Sequence, residues 1–275
     1  MPKTLLRGHA LHWIRVPYSG PTKQPPHRVV LAHGLLLGNL ASWYLSCAHQ
    51  LSAWAEVLMY DLRGHGQSAH SPRGYSLSEL AADLEALLRE QGWAEGELVM
   101  AGHSYGGRVM LKWAESRGER LAQLTLVDSP LTRSELPQIG LPELTALPEE
   151  SAQLDELIGR LPAPLQLALQ GGGRRARRAL ESWWRLIAES SLMADLKAEP
   201  EPSDALLTQL GPRLRAVYGG SSPCISSLER LKRSCEPAQL HLIPEAGHYL
   251  LNEAPARVCE LLCEGLSALH ASQER

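Results

Sequence analysis

The chain has 275 residues, of which 44% are hydrophobic and 21% are charged, and its formal net charge is −3. These proportions are those of ordinary globular proteins, and they exclude collagen-like, low-complexity and disordered chains. Because the charge is close to balanced, no broad basic field draws the protein to nucleic acid, and we expect no nucleic-acid partner.

The length and the aromatic content bound the size and make-up of the core. At ~150 residues per typical domain, the chain has room for one large domain or for a domain that carries a lid. It contains 7 Trp and 7 Tyr but no Phe. We therefore expect a core built mainly from Leu, with a few large aromatic rings.

The sequence carries no pattern typical of an exported or membrane-spanning protein. Its N-terminal apolar run breaks before a signal-peptide core could form. The stretch from Val29 to Ala55 has no Asp, Glu, Lys or Arg, but its His, Asn, Gln and Gly residues leave no run of ~18 apolar residues. The five cysteines form no Cys-x-x-Cys pair and are predicted to be reduced thiols. We expect a cytoplasmic protein without a membrane segment.

Short apolar runs alternate with helical patterns along most of the chain. This alternation is typical of βαβ units, in which helices join parallel strands. Most of the runs are continuous rather than alternating, as strands covered on both faces require. We predict strands over the runs Val29–Ala32, Val57–Tyr60, Leu98–Ala101, Leu124–Val127, Leu214–Tyr218 and Leu240–Ile243.

Two helices have clear boundaries in the sequence. Ser76 opens a capping box, and Leu and Ala residues follow it at helical spacing until Gly92. The last helix begins at Pro255, because proline is favoured in the first turn. Cys259 and Cys263 lie four residues apart on that helix and are interpreted as small core-flanking residues rather than as a redox or metal pair.

The βαβ rhythm stops in the middle of the chain. We predict that residues 131–210 form an inserted helical cap between two parts of one sheet domain, residues 1–130 and 211–275. The segment Gly171–Gly173 is predicted to be a hinge or loop. Four basic residues follow it: Arg174, Arg175, Arg177 and Arg178. We interpret them as the solvent-exposed face of a helix; the alternative is a positively charged patch that attracts anionic substrates.

The most specific motif is GHSYGG at residues 102–107, directly after a predicted strand and directly before a helical pattern. This arrangement is typical of a nucleophile elbow, a tight turn that holds Ser104 in a strained conformation at the carboxyl edge of the sheet. Gly102 and Gly106 supply the small flanking residues that the turn needs. The Tyr105 N–H and the helix N-terminus then lie where an oxyanion would form.

With this elbow, the sequence resembles the α/β-hydrolase family, in its branch of small capped serine hydrolases and esterases. The other matching motifs are HGL at residues 33–35, DLRGHGQS at 61–68 and GH at 247–248. The resemblance implies a mostly parallel eight-stranded sheet flanked by helices, with an inserted helical cap and no cofactor. It also implies that the Leu35 N–H joins the Tyr105 N–H in an oxyanion hole. Leu35 and Tyr249 stand where relatives often carry Phe, so the missing rings would open space beside the catalytic groups.

The base and the acid are predicted separately. Ser104 needs a base, and His248 follows the last predicted strand in the chain order of this fold. The family usually places its acid near residue 222, but that residue is Ser. Asp128, at the end of a neighbouring strand, is our preferred acid. Glu229, another lid or loop carboxylate, or no acid at all stay open as alternatives.

The remaining candidates are substrate contacts. Residues near the motifs and in the cap suggest an apolar acyl site, and no His-Glu-x-x-His pattern or carboxylate spacing indicates a metal. The predicted substrate-binding residues are His33, Leu36, Trp43, His103 and Trp183.

These features predict a serine hydrolase that cleaves ester-type bonds of a small-molecule substrate with a small to medium apolar acyl group. A thioesterase, a lactonase or a carbon–carbon bond hydrolase would use the same residues. Because the usual acid is missing, a weakly active or inactive binding protein of the same fold is a further alternative. The sequence leaves a monomer and a homodimer equally open.

Overall fold

The apolar runs that predicted strands all lie in one sheet of eight strands, ordered β1-β2-β4-β3-β5-β6-β7-β8. The pairs β1–β2 and β2–β4 are antiparallel, and the other pairs are parallel. The predicted fold class is therefore confirmed. The strands are β1 (Lys3–Leu6), β2 (His9–Val16), β3 (His27–Ala32), β4 (Ala55–Tyr60), β5 (Leu98–His103), β6 (Leu121–Val127), β7 (Leu214–Gly219) and β8 (Gln239–Ile243).

This computed structural model describes residues 2–23, 25–36, 38–135, 156, 158–159, 166, 169 and 173–273. Helices join the strands and cover both faces of the sheet. Over the described residues the α-helices are α1 (Leu40–Trp43), α2 (His49–Ser52), α3 (Leu77–Glu90), α4 (Tyr105–Arg117), α5 (Gly173–Ala188), α6 (Leu192–Ala198), α7 (Asp204–Leu210), α8 (Ile225–Ser234), α9 (Leu250–Glu253) and α10 (Pro255–Gln273).

The two N-terminal strands carry no continuous apolar run, and the sequence patterns did not reveal them. β1 and β2 form a hairpin at the edge of the sheet, where half-buried and exposed residues are mixed. Arg7 and Gly8 make its two-residue turn, and both have positive φ, 49° and 83°. This combination is typical of a type I′ turn, which fits the twist of a hairpin.

Two apolar layers hold the helices on the sheet. Helices α3 and α4 pack in one layer, and α10 packs in the other with the helical segment 40–52. The start of α3 is capped as predicted, since the Ser76 hydroxyl accepts a hydrogen bond from the Glu79 N–H. Trp and Tyr occupy the large buried positions of this protein without Phe: Trp43, Trp93, Trp113, Tyr60, Tyr75, Tyr105 and Tyr218.

The predicted cap is described only in part. Helices α5, α6 and α7 lie in residues 131–210. Of the predicted hinge, Gly171 and Gly172 fall outside the described residues, as do the side chains of Arg174 and Arg175, and Gly173 is the first residue of α5. Glu135, just before the undescribed stretch, has a buried carboxylate that accepts hydrogen bonds from Ser226 and Ser227 at the start of α8. The helix N-terminus favours this negative charge, and the contact ties the chain to the sheet domain as it enters residues 131–210.

Parallel strands end at the same edge of a sheet, and this edge collects the residues of interest. Ser104 follows β5, Asp128 follows β6, and the loop after β8 carries His248. Loops at the carboxyl ends of the strands are where α/β sheets build their sites. None of the described helices is both long enough and apolar enough to cross a membrane.

Candidate active site

Ser104 occupies a strained turn between β5 and α4. Its φ of 52° and ψ of −122° lie in a region that side chains rarely adopt. The turn is so tight that a Cβ on Gly102 would lie 2.4 Å from the Gly107 nitrogen. A Cβ on Gly106 would lie 2.5 Å from the His33 carbonyl oxygen. Gly102 is therefore required by the turn itself, and Gly106 by the close approach of the end of β3.

His248 lies between Ser104 and Asp128 and contacts both. Its Nε2 is 3.0 Å from the Ser104 Oγ, and its Nδ1 is 2.7 Å from the Asp128 Oδ2. All three side chains are buried. Because the carboxylate accepts, the Nδ1–H donates to Asp128, and the Nε2 is left as the acceptor that faces the serine hydroxyl. The structure thus brings the three predicted residues together in one hydrogen-bonded line.

Asp128 is held in place from several sides. Its own φ is 49°, a left-handed conformation that Asp tolerates better than most residues. Its N–H donates to the Val217 carbonyl at 2.8 Å, and its carboxylate accepts from the Gly219 N–H at 2.8 Å. The hydroxyl of Ser222 donates to the same carboxylate. The residue that replaces the expected acid therefore supports the acid on the neighbouring strand.

The alternative acid Glu229 lies elsewhere. Its carboxylate is about half exposed on α8 and pairs with Lys232 at 2.7 Å. The structure does not bring it to His248.

Of the two predicted oxyanion residues, Leu35 lies in the loop after β3 (residues 33–36, here called the oxyanion loop) and Tyr105 is the first residue of α4. Leu35 and Tyr105 both line a cavity beside Ser104. The Leu36 N–H, one residue further along, donates to the His65 Nε2 at 3.2 Å. On the other side of the loop, the His33 Nε2 accepts from the Leu62 N–H at 2.9 Å. Two imidazoles thus act as acceptors that fix the loop.

His33, which we predicted to contact substrate, is not one of the cavity-lining residues and holds the oxyanion loop instead. It is fully buried and does not line the cavity, because its two ring nitrogens bond to the backbone of Gly34 and Leu62. His65 was missed as a support of this loop because only the fold brings it to Leu36. Burial lowers the pKa of both imidazoles, that of His65 to about 3, so both stay neutral and able to accept.

His103 lines the cavity, as predicted, and also holds the loop that carries His248. Its Nε2–H donates to the His248 carbonyl oxygen at 2.8 Å. Burial lowers the pKa of His103 to about 3, so it carries no charge near neutral pH. The two imidazole rings lie 5.1 Å apart, centroid to centroid, and a charge on His103 would oppose protonation of His248.

The two predicted tryptophan contacts lie outside the cavity. Trp43 is completely buried in the core, and its indole N–H donates to the Ala32 carbonyl at 2.9 Å. Trp183, on α5, donates its indole N–H to the Leu36 carbonyl at 3.0 Å and packs against Leu180. Both indoles therefore bond to the backbone at the two ends of the oxyanion loop, and neither ring lines the cavity.

The cavity beside Ser104 encloses about 660 Å³, part of it open to solvent. Its lining is mostly apolar, with few polar groups besides the residues described above. This lining suits a small to medium hydrocarbon chain. The cavity is also lined by Gly38, Ser42, Pro130, Leu196, Tyr249, Leu251 and Asn252.

Cys224 is a neighbour of His248 that the sequence did not indicate. Its Sγ lies 3.6 Å from the His248 Nδ1, and the thiol is fully buried. Burial, followed by the nearby Asp128 carboxylate, raises the pKa of this thiol above its ordinary value. Cys224 is therefore a neutral thiol and not a nucleophile.

The chain is similar to known proteins in family and fold. A model of the alpha/beta hydrolase family matches residues 29–261. The acetyltransferase component of the acetoin cleaving system of Pseudomonas putida is 27% identical over 260 residues, which cover 93% of this chain and 66% of that protein. The sn-1-specific diacylglycerol lipase ABHD11 of Mus musculus is 26% identical over 249 residues, 82% of this chain and 76% of that protein.

Two solved structures illustrate the similarity in fold. An esterase from Thermogutta terrifontis superposes with a TM-score of 0.66 at 22% identity, covering 98% of this chain and 97% of that one. An enol-lactonase from Burkholderia xenovorans LB400 superposes with a TM-score of 0.68 at 18% identity, covering 97% of this chain and 100% of that one.

The buried neutral histidines predict a loss of stability in mild acid. The pKa of His33, His65 and His103 is lowered from the usual 6.5, to about 3 for the last two, so below pH 6.5 the unfolded chain binds protons that the folded protein does not. We expect the free energy of unfolding, measured with urea, to fall as the pH drops from 6.5 towards 3. His65 and His103, whose pKa is lowered to about 3, each contribute up to about 1.4 kcal/mol per pH unit in that window, and His33 acts in the same direction.

Two matched variants test whether the buried histidines cause this loss of stability in acid. His103→Gln keeps a side-chain donor but does not titrate, and it should reduce the slope by about 1.4 kcal/mol per pH unit. Gln50→Asn, an exchange between two non-titrating side chains at an exposed position outside the site, should leave the slope unchanged. An unfolding free energy that stays constant between pH 6.5 and 5 would contradict this account.

Proposed function

The chain belongs to the alpha/beta hydrolase family, and from this membership and the site geometry we propose that it is a serine hydrolase. Its substrates are carboxylic esters with a small to medium apolar acyl group. The observation that carries the proposal is the continuous line of contacts from the Ser104 Oγ through His248 to the Asp128 carboxylate, at 3.0 Å and 2.7 Å.

The first half of the reaction forms an acyl-enzyme. The Ser104 Oγ attacks the ester carbonyl carbon while the His248 Nε2 takes the hydroxyl proton. The Leu35 and Tyr105 N–H groups donate to the oxyanion that results. The intermediate then collapses, the C–O bond to the alcohol breaks, and His248 gives its proton to the departing oxygen.

The second half repeats these steps with water. His248 takes a proton from the water as its oxygen attacks the acyl carbon, and returns that proton to the Ser104 Oγ when the acid leaves. During both halves the imidazole is transiently positive. The Asp128 carboxylate, 2.7 Å away, stabilises that charge and keeps the Nε2 directed at the serine.

The contact with Asp128 also bears on the alternative of an inactive binding protein. That alternative arose because Ser222 stands where an acid is expected. Asp128 supplies a carboxylate from the next strand, and the motive for the alternative disappears. A fluorophosphonate probe separates the two directly, because it labels an activated serine and leaves an inert one unmodified.

Hydrolysis of p-nitrophenyl esters tests the roles of the three residues. Ser104→Ala should lower kcat/KM by about 10³- to 10⁶-fold and abolish fluorophosphonate labelling. Asp128→Asn should lower it by about 10²- to 10⁴-fold, because the imidazole loses its charge partner and its orientation.

Asp204→Asn is the matched control for the acid. It makes the same chemical change at an exposed carboxylate that pairs with Arg230 on the surface. We expect its kcat/KM to equal that of the wild type. Full activity of Ser104→Ala would refute the mechanism, and an unchanged rate of Asp128→Asn would remove that residue from it.

Trp183 links the cap to the oxyanion loop in this mechanism. Its indole N–H holds the carbonyl of Leu36, the residue after the proposed oxyanion donor Leu35. Trp183→Phe keeps an aromatic ring but removes the donor. We expect kcat to fall by about 10- to 100-fold with a smaller change in KM, since the displaced donor acts mainly in the transition state.

The neighbouring Trp184 provides the control. Its indole nitrogen is buried but has no hydrogen-bond partner among the described residues, so Trp184→Phe breaks no such bond. We expect that variant to keep the wild-type kcat. Equal losses in both variants would indicate a general packing effect and contradict the positioning role of Trp183.

The cavity lining predicts how acyl-chain selectivity can be changed. Leu35 lines the cavity at a position where relatives often carry Phe, and a larger ring there would shorten the space for the acyl group. Leu35→Phe should lower the ratio of kcat/KM for octanoate over butyrate p-nitrophenyl esters by about 10-fold. Leu45→Phe, at an 82% exposed position, is the matched control. An unchanged ratio in Leu35→Phe would mean that this residue does not limit the acyl site.

A further inference from the structure

Three side chains that could each serve as a metal ligand lie together at the Nδ1 side of His248. The thiol of Cys224, the carboxylate of Asp128 and the imidazole of His248 each offer one atom, and these atoms all lie within 4.8 Å of one another. Sequence spacing could not reveal the cluster, because its members are 24 to 120 residues apart.

We propose that Asp128, Cys224 and His248 form an inhibitory binding site for a borderline-soft divalent cation, best filled by Zn²⁺. A thiolate, an imidazole and a carboxylate are the three ligand types that proteins use for zinc. Hard cations such as Mg²⁺ select oxygen ligands and would not compete for a site with sulfur and nitrogen.

The distances fit this cation with little movement. Zinc–sulfur and zinc–nitrogen bonds of about 2.3 Å and 2.0 Å at a tetrahedral angle separate the two ligand atoms by about 3.5 Å. The Cys224 Sγ and the His248 Nδ1 are already 3.6 Å apart. The 2.7 Å contact between that Nδ1 and the Asp128 carboxylate must widen by about 0.6 Å to admit the metal. A water or the Ser222 hydroxyl, which already contacts this carboxylate, completes a four-coordinate shell.

The proton balance explains why the site is inhibitory. Zinc displaces the proton of the Cys224 thiol, which passes to solvent. It also takes the Nδ1 lone pair, so the imidazole proton moves from Nδ1 to Nε2. The Nε2 then carries a hydrogen and can no longer accept the proton of Ser104. One bound ion thus removes the proposed base without contacting the serine.

Burial predicts the kinetics of this inhibition. Cys224 and Asp128 are fully buried, and only His248 of the three lines the cavity. The ion must therefore pass the imidazole to reach the thiol. We expect slow-onset inhibition by Zn²⁺ that EDTA reverses, and no inhibition by Mg²⁺ at the same concentration.

The binding site itself does not rest on the proposed reaction, so binding is measured first and without a substrate. Zn²⁺ affinity is determined by competition with a chromogenic chelator for the wild type and for Cys224→Ser. We expect the variant to bind one Zn²⁺ fewer per chain, or to bind it about 10- to 100-fold more weakly. Cys235→Ser, at another buried thiol whose Sγ donates to the Leu207 carbonyl, is the matched control and should bind like the wild type.

A spectroscopic measurement on the wild type keeps the test independent of how the variants fold. Co²⁺ in the site should give the near-ultraviolet absorption of thiolate-to-cobalt charge transfer. Absence of this band would overturn the proposal, as would equal Zn²⁺ affinity in wild type and Cys224→Ser, or an equal loss in Cys235→Ser.

Inhibition is then measured on the same proteins, each against its own metal-free rate of ester hydrolysis. The concentration of Zn²⁺ that halves the rate should rise at least about 10-fold in Cys224→Ser. Metal binding without inhibition would overturn the inhibitory role but leave the site. Absence of ester hydrolysis in the metal-free wild type would refute the proposed function while the binding result still stands.

Discussion

The conformation of one residue determines how this site is built. Ser104 has a φ of 52°, and its turn between β5 and α4, packed against the end of β3, leaves no room for a Cβ at Gly102 or Gly106. Such a conformation costs about 1–3 kcal/mol and persists only where the surroundings enforce it. In return, the turn presents the Oγ at the carboxyl edge of the sheet, beside the start of α4. His248, Asp128 and the oxyanion loop are all grouped around that one point.

Neutral buried imidazoles hold the surroundings of this turn. His33 and His65 accept backbone N–H groups that fix the oxyanion loop, and His103 donates to the carbonyl of His248. An imidazole can accept a hydrogen bond at one nitrogen and donate one at the other. It can therefore link two backbone segments that are not hydrogen-bonded to each other as strands of a sheet. Burial keeps these rings uncharged, and their cohesion therefore depends on pH in a way that apolar packing does not.

The sequence predicted the parts of the molecule that depend on local pattern. The six apolar runs became strands β3 to β8, the capping box at Ser76 began α3, and the family motifs predicted the fold class. The edge hairpin was missed, because its strands are not covered on both faces and carry no continuous apolar run. Contacts between residues that are far apart in the sequence could not be predicted either. Trp43 and Trp183 were expected in the substrate site, but indole N–H groups can bond to any nearby carbonyl, and only the structure identifies Ala32 and Leu36 as the partners.

The acid illustrates the same limit. Sequence position favoured a carboxylate near Ser222, and its absence left Asp128, Glu229 and no acid as open choices. In the structure the Asp128 carboxylate lies 2.7 Å from the His248 Nδ1, and the Ser222 hydroxyl donates a hydrogen bond to the same carboxylate. The roles of these residues stay predictions until the variants are measured. Cys224 could not be found at all, since nothing in its local sequence connects it with a histidine 24 residues away.

The order of the three residues along the chain has a consequence for the newly made protein. Ser104 and Asp128 lie in neighbouring strand ends only 24 residues apart, whereas His248 comes 120 residues after Asp128, beyond the cap and the last two strands. During synthesis Ser104 and Asp128 therefore leave the ribosome well before His248. In the proposed mechanism, a nascent or truncated chain that stops before β8 lacks the base for Ser104, so it cannot hydrolyse esters before the sheet is complete.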